Sequence, residues 1–89
     1  MAKGDKYISL TAYLEKSGQD VVKMSFNEIE KVIGDKLSQS AYKYPAFWSN
    51  TESHSISFGW MNAGYLSCNL NLEKQTIEFV KSNQRIKLV

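Results

Sequence analysis

The stretch from Ser38 to Tyr65, SQSAYKYPAFWSNTESHSISFGWMNAGY, decides how this chain folds. It holds both tryptophans, the single proline and the single histidine, and its aromatic residues are interleaved with Ser and Asn. Within it only Lys43 and Glu52 carry charge. A segment that is aromatic and polar but almost uncharged is either a core with hydrogen-bonding tips or a contact surface. Its composition is compatible with both.

Pro45 divides this stretch into two parts. Ser38 or Ser40 is placed to cap a helix that contains Tyr42, and Pro45 disfavours helical geometry at the residue before it. We expect the chain to restart at Pro45 as a turn that extends to Trp48. Tyr42 is expected to fill the core.

A further helix is predicted after the turn sequence SNTES. Ser53 or Ser55 can open it, and Gly64 is a fitting C-terminal stop. Ile56 and Trp60 lie four residues apart and therefore share one face of this helix. Trp60 is accordingly expected in the core.

Upstream, the residues SFNE at 25–28 are the clearest local signal in the chain. They form a capping box, in which Ser25 is the N-cap and Glu28 reaches back to its backbone. Apolar side chains then recur at helical spacing as far as Ile33, and Gly34 ends the predicted helix.

The N-terminal part of the chain predicts one more helix and a short strand. The helix is indicated by apolar residues at i, i+3, i+6 and i+7, namely Tyr7, Leu10, Tyr13 and Leu14. We expect Tyr13 and Leu14 to pack inward. The residues VVKM at 21–24 are β-branched and short, which suits a brief strand.

After Gly64 the period of the apolar pattern changes to two, which predicts a β-hairpin. The return strand covers residues 75–81, with Ile77 and Phe79 facing inward. The first strand is expected to bury alternate residues, namely Leu66, Cys68, Leu70 and Leu72. On this pattern Cys68 is a buried and inert thiol.

The order of elements predicts an α+β fold, a small winged helix-turn-helix-like domain with a helix, a short strand, two to three helices and a C-terminal hairpin. The alternative is a compact α+β domain in which the helical segments only cover the sheet. We expect a single domain over residues 1–89, ordered from about 6 to 81, with a basic tail at 82–89.

Several classes of function are not expected. No apolar run is long enough to span a bilayer, and the N-terminus lacks the apolar region of a signal peptide, so we predict a cytoplasmic protein without a membrane partner. One Cys and one His do not make a zinc site, and we expect no metal and no cofactor. No phosphate loop or nucleophile with a base is visible, and His54 is interpreted as an exposed turn residue, so we predict that the chain is not an enzyme.

The formal net charge of +2 arises mainly from the last seventeen residues, which hold four basic and two acidic side chains. Any binding of nucleic acid must therefore depend on a local patch. Around Pro45, one cation, planar rings and an amide are available, and cations of the hairpin and tail could reach phosphates. The candidate contact residues are Lys43, Tyr44, Trp48, Ser49, Asn50, Lys74, Lys81, Arg85 and Lys87.

Three motifs carry a resemblance to a known family: YxxLxxYL from Tyr7, FxEIExxIGxxLxxSAYKYxAxWSN from Phe26, and WxxAGY from Trp60. This pattern resembles a family of small uncharacterised bacterial and phage domains, a domain of unknown function. The match extends from Tyr7 to about Phe79. The chain has Ser38 where the family tends to have proline, and Phe47 precedes Trp48 where paired tryptophans are common. The resemblance implies a fold and a prokaryotic or viral setting, and no established activity.

Two functions remain in view. The first is a small non-enzymatic nucleic-acid-binding module, in particular a DNA-binding module of winged-helix type. The second is a protein interaction module, such as a phage or mobile-element inhibitor that docks on a host defence protein, or a homodimer that uses the aromatic surface. Steep weakening of binding by salt would indicate the first, and a small salt effect the second.

Overall fold

Four α-helices, one 3₁₀ turn and a three-stranded antiparallel sheet make up the described part of the chain, which is residues 5–51 and 55–82 of a computed structural model. In chain order these elements are α1 (Asp5–Ser17), β1 (Val21–Ser25), α2 (Phe26–Ile33), α3 (Gln39–Lys43), the 3₁₀ turn (Pro45–Trp48), α4 (Ser55–Met61), β2 (Tyr65–Asn71) and β3 (Thr76–Lys81). The mixed α+β class is as predicted. Within the described residues, no helix has both the length and the apolar character that crossing a membrane requires.

The sheet has the strand order β1-β3-β2, so that the last strand lies in the middle. β1 pairs antiparallel with β3, with Val22 opposite Phe79 and Met24 opposite Ile77. The short strand after the first helix therefore joins the C-terminal hairpin in one sheet. All four of these side chains are buried beneath the helices.

The predicted capping box begins helix α2. The Ser25 backbone N–H donates to Glu28 Oε1 at 2.8 Å, and the Glu28 backbone N–H donates to Ser25 Oγ at 3.0 Å. Gly34 ends the helix with φ of 72°, a left-handed conformation that glycine adopts without a steric penalty. These bonds satisfy two backbone donors at the junction between β1 and α2.

An aromatic column runs through the core. Trp48 stacks on Phe26 with ring centroids 4.7 Å apart and on Trp60 with centroids 6.0 Å apart, and Trp60 in turn lies 5.1 Å from Phe79. The column joins α2, the 3₁₀ turn, α4 and β3 in sequence. Phe26, Trp48, Trp60 and Phe79 are the four residues of the aromatic column.

Tyr13 is exposed by 45 %, whereas Leu10 and Leu14 are fully buried, so the expectation that Tyr13 packs inward is wrong. At 3.6 residues per turn Tyr13 is rotated by about 100° from Leu14 and lies at the margin of the apolar stripe. Its ring instead borders a groove between α1 and β1.

A bulge interrupts the alternation of apolar residues in β2. The prediction that Leu66, Cys68, Leu70 and Leu72 share one buried face is therefore wrong for the first part of the strand. Ser67 lies opposite Phe79, whose side chain is buried, so Ser67 and not Cys68 faces the helices. The register shifts between Cys68 and Asn71, and Asn69 has φ of 51°. This extra residue exchanges the two faces of the strand, so that the later leucines at 70 and 72 do pack against the core.

Cys68 is therefore half-buried on the outer face of the sheet rather than in the core. Burial and the nearby Glu78 carboxylate raise the pKa of its thiol. A raised pKa lowers the thiolate fraction at neutral pH, and burial is the larger of its two causes even though the side chain lies outside the core.

Candidate nucleic-acid interface

The corner around Pro45 is built as the sequence predicts. Helix α3 stops at Lys43, and Tyr44 takes the extended conformation with φ of −122° and ψ of 118° before Pro45 starts the 3₁₀ turn. Lys43 and Ser49 are exposed, and Tyr44 is exposed by 60 %. These three candidate residues are available to a ligand.

Trp48 is not available, because its side chain is only 2 % exposed. Its indole Nε1 donates to the Ala41 carbonyl at 2.9 Å, and its ring forms part of the aromatic column. The interpretation of Trp48 as a stacking residue is therefore corrected to a core residue. The ring closes the 3₁₀ turn onto α3.

Asn50 is also occupied by the fold, although its surroundings are exposed. Its Oδ1 accepts from Trp60 Nε1 and from the Ser67 backbone N–H, each at 2.7 Å, and its Nδ2 donates to the Ser67 carbonyl at 3.2 Å. The side chain thus bonds to both backbone groups of one residue, as a neighbouring strand would. Its amide is consumed within the domain and is not free to read a base edge.

The position of Ser67 on β2 explains this arrangement. The Ser82 backbone N–H donates to the Gly64 carbonyl at 2.8 Å. The backbone N–H and C=O groups of every second residue, counted from Gly64, therefore face β3, whereas those of Ser67 point to the outer edge of the sheet. Ser67 Oγ also donates to the Trp48 carbonyl at 2.5 Å. No sequence pattern pairs positions 50 and 67, so this closure of the β2 edge was not predicted.

Helices α2 and α3 are joined by a polar contact that the sequence did not reveal. Glu30 Oε2 accepts from Tyr42 Oη at 2.6 Å and from the Leu37 backbone N–H at 2.9 Å. These two hydrogen bonds, from Tyr42 first and Leu37 second, lower the pKa of the Glu30 carboxyl. The bond to Glu30 and burial raise the pKa of Tyr42 to about 12.

We expect Tyr42→Phe to destabilise the domain by about 1 kcal/mol at neutral pH, since one charge-assisted hydrogen bond is lost from a half-exposed site. The contribution of Glu30 is present above its unfolded pKa and is lost as pH falls through its lower folded pKa. The contribution of Tyr42 is present below pH 10 and is lost as pH rises toward 12. The difference in unfolding free energy between wild type and Tyr42→Phe should therefore be largest between about pH 5 and pH 10.

Urea unfolding followed by circular dichroism across this pH range measures the difference. Tyr44→Phe is the matched control, because the Tyr44 side chain is the more exposed tyrosine of the corner. Its difference in unfolding free energy from the wild type should not vary with pH. A Tyr42→Phe effect that does not vary with pH would contradict the role of the Glu30 bond.

This contact orients α3 so that its remaining side chains face solvent. Ala41 is fully buried against the core and Tyr42 is held by Glu30, whereas Gln39, Ser40 and Lys43 are exposed. Gln39 and Ser40 were not among the candidate residues. Their positions in the sequence could have identified them, because helical periodicity places them on the face of α3 that is turned away from Ala41.

The candidate cations of the hairpin do not lie together. Lys74 is exposed in the turn between β2 and β3, at one end of the sheet. Lys81 ends β3 at the other end, where its Nζ donates to the Gly18 carbonyl at 3.1 Å. Arg85 and Lys87, together with the rest of the predicted tail after Ser82 and with His54, lie outside the described residues.

Charge is balanced over the described residues. Of the eleven basic and nine acidic side chains, Lys3, Arg85, Lys87 and Glu52 lie outside residues 5–51 and 55–82, which leaves eight of each sign. Over the same described ranges there is no group of three or more His, Cys, Asp or Glu side chains arranged to hold a metal ion.

The model of one protein family matches residues 7–82, and this family is described as Domain of unknown function (DUF7662). This match confirms the resemblance to a domain of unknown function. No curated protein and no solved structure matches the chain.

Proposed function

The chain belongs to this family of domains of unknown function, and we propose that it is a small nucleic-acid-binding module, with DNA as the preferred ligand. Its elements follow the order helix, strand, two helices, 3₁₀ turn, helix and hairpin, so that α4 lies between α3 and the hairpin, and the sheet order is β1-β3-β2. This order is compatible with a winged helix-turn-helix arrangement, in which α2 and α3 form the helix-turn-helix and the β2–β3 turn is the wing.

The observation that carries the proposal is the exposed polar face of α3. The Glu30 contacts hold α3 on α2, and Gln39, Ser40 and Lys43 project from it into solvent. Gln and Lys are side chains that bond to base edges in the major groove, and Ser bonds to bases or phosphates. An anchored helix with such a face has the chemistry of a short recognition helix.

The wing turn lies next to the same part of the fold. The Phe26 backbone N–H donates to the Gln75 carbonyl in the turn at 2.8 Å, and the Phe26 ring lies 5.4 Å from that of Tyr42 in α3. One residue therefore contacts both the wing and the proposed recognition helix. Lys74 in this turn and Lys43 on α3 are the two cations that we assign to phosphate contacts.

Balanced charge limits how strongly such a module can bind. Each neutralised phosphate contributes about −0.9 to the slope of log K against log salt concentration, so two lysines predict a slope of about −2. This is far shallower than the slope expected of a highly basic DNA-binding protein. Binding should be measurable at low salt and weak at physiological salt.

Fluorescence anisotropy with a duplex probe and a single-stranded probe tests the proposal at low salt. We expect the double variant Lys43→Ala with Lys74→Ala to weaken duplex binding at least tenfold and to reduce the salt slope by about 2, without a change in Tm. The control is Lys16→Ala, an exposed lysine on α1, which should bind as wild type does. Absence of binding to both probes by the wild type, or an equal loss in the control, would refute the proposal.

A protein interaction module is the second candidate, and one observation favours it. A groove between α1 and α4 is bordered by Ile8 and Phe58, which are exposed by 63 % and 42 %, and none of its described lining residues is charged. Exposed apolar side chains with few charges are typical of interface centres. Self-association that persists as salt rises would favour this candidate, as a homodimer, over nucleic-acid binding.

A further inference from the structure

The two edges of the sheet differ. On β2, the Asn50 amide occupies the outward backbone groups of Ser67, so that edge is closed at this residue by a side chain. On β1, the other edge strand of the order β1-β3-β2, the outward backbone groups of Val21 and Lys23 have no hydrogen-bond partner among the described residues. An unpaired edge can accept a further strand.

Two backbone hydrogen bonds identify which groups of β1 point outward. The Lys81 N–H donates to the Asp20 carbonyl and the Phe26 N–H donates to the Gln75 carbonyl, both at 2.8 Å. Because antiparallel pairs alternate, the even residues from 20 to 26 bond to β3 and the odd residues face outward. The Ser25 N–H is taken by Glu28, which leaves the N–H and C=O groups of Val21 and Lys23.

A groove of about 400 Å³ runs beside this edge, between the C-terminal half of α1 and β1. Tyr13 and Val21, exposed by 45 % and 48 %, provide apolar surface beside the open backbone. The groove is lined by Tyr13, Lys16, Ser17, Gln19, Val22 and Lys23. Lining from both faces of β1, by Val22 and by Lys23, shows that the groove extends along the edge itself.

The charge at the groove comes from Lys16 and Lys23. Glu78, which lies opposite Lys23 on β3, accepts a hydrogen bond from the Asn69 side chain on β2 at 3.0 Å, and the described lining of the groove contains no acidic side chain. A second copy paired antiparallel through β1 would bring its own Lys23 close to this one, which disfavours self-pairing. An acidic strand has the complementary charge.

We propose that the β1 edge binds an extended acidic peptide segment of a partner protein by β-strand addition. The segment pairs with the N–H and C=O groups of Val21 and Lys23, and its acidic side chains contact Lys16 and Lys23. Its apolar side chains pack on Tyr13. This site is separate from the exposed face of α3, so it does not depend on the proposed nucleic-acid function.

The probe is a ten-residue peptide, blocked at both ends, in which pairs of Glu alternate with pairs of Val or Thr, so that each face of the strand carries both acidic and apolar side chains. We expect a titration followed by backbone NMR to shift the amides of Val21 and Lys23 more than those of α3. A copy of the peptide with N-methyl groups on its pairing residues should bind at least tenfold more weakly, since it cannot form the strand hydrogen bonds. A copy with Lys in place of Glu should also bind at least tenfold more weakly.

Two variants distinguish the contribution of the backbone hydrogen bonds to peptide binding from that of the lysine charges. Val21→Pro removes an N–H that β3 does not use, at the first residue of an edge strand, where proline is tolerated, and should weaken the acidic peptide at least fivefold. Lys16→Ala with Lys23→Ala should weaken it by a similar factor and reduce its salt dependence. Lys31→Ala, at an exposed position of α2, is the matched control and should have no effect.

Three results would overturn the proposal: binding by the N-methylated peptide equal to that of the parent, shifts confined to residues outside β1 and the groove, or no binding at millimolar peptide. The proposal would also be overturned if a single-stranded oligonucleotide of equal length displaced the peptide from Val21 and Lys23 and bound more tightly than the peptide. The groove would then be a site for anions that does not require strand pairing. A melting temperature for each variant excludes unfolding as the cause.

Discussion

Trp60→Ala is expected to lose about 3–5 kcal/mol of stability, which for a domain of this size is most of the free energy of unfolding. The side chain is fully buried, and it stacks between Trp48 and Phe79 in the aromatic column. Its removal leaves a cavity at the centre of the core and deprives two rings of their neighbour. Urea unfolding monitored by circular dichroism should show a largely unfolded or barely cooperative chain.

Two variants separate the packing of Trp60 from its hydrogen bond. Trp60→Phe keeps an aromatic ring in the column and loses the Nε1 donor to Asn50, so we expect a smaller loss of about 1–3 kcal/mol. Tyr44→Ala removes an exposed aromatic ring from the Pro45 corner and should change stability by less than about 0.5 kcal/mol. Equal effects of Trp60→Ala and Tyr44→Ala would contradict the aromatic column as the centre of the fold.

Asn50→Ala is the substitution with the second largest expected effect, a loss of about 2–3 kcal/mol from a residue in an exposed position. It removes the acceptor for the buried indole N–H of Trp60 and both hydrogen bonds to the backbone of Ser67. A buried donor without a partner costs more than the average hydrogen bond contributes. The edge of β2 would also be opened. Chemical denaturation measures the loss, and hydrogen exchange at Ser67 should report the opening directly.

Asn50→Asp is the near-isosteric companion to this variant. An Asp side chain retains an acceptor for Trp60 and Ser67 but places its second oxygen against the Ser67 carbonyl, where Nδ2 donates in the wild type. We therefore expect a loss at pH 7 that becomes smaller at acid pH, where the protonated carboxyl can donate. Ser49→Ala, at the exposed neighbouring position, should be neutral. Unchanged stability with impaired ligand binding in Asn50→Ala would instead identify Asn50 as a contact residue.

Local chemistry explains why parts of this fold can be predicted. The capping box at Ser25 and Glu28, the left-handed stop at Gly34 and the restart at Pro45 each depend on residues within four positions of one another. Such signals are complete in the sequence, because the interacting groups are brought together by the helix or turn itself. Burial of Trp60, Ile77 and Phe79 was likewise predicted from helical and strand periodicity.

The candidate site was harder to predict, because exposure is not a local property. Tyr44 and Trp48 are four residues apart in the same aromatic segment, yet the first is exposed and the second is in the core. What separates them is the direction in which the 3₁₀ turn points each ring relative to α2 and α4. The α3 face with Gln39 and Ser40 was missed for the same reason, since it becomes a surface only after Glu30 fixes Tyr42.

The sequence by itself determined the helices, the caps of α2, the break at Pro45, the C-terminal hairpin and the family to which the chain belongs. Only the tertiary structure decided which strand edge is closed, which face of β2 is buried and which residues of the aromatic stretch are exposed. Asn50 and Ser67 meet across seventeen positions, and the bulge at Asn69 inverts an alternation that looked continuous. Both depend on contacts between distant segments, which local spacing does not encode.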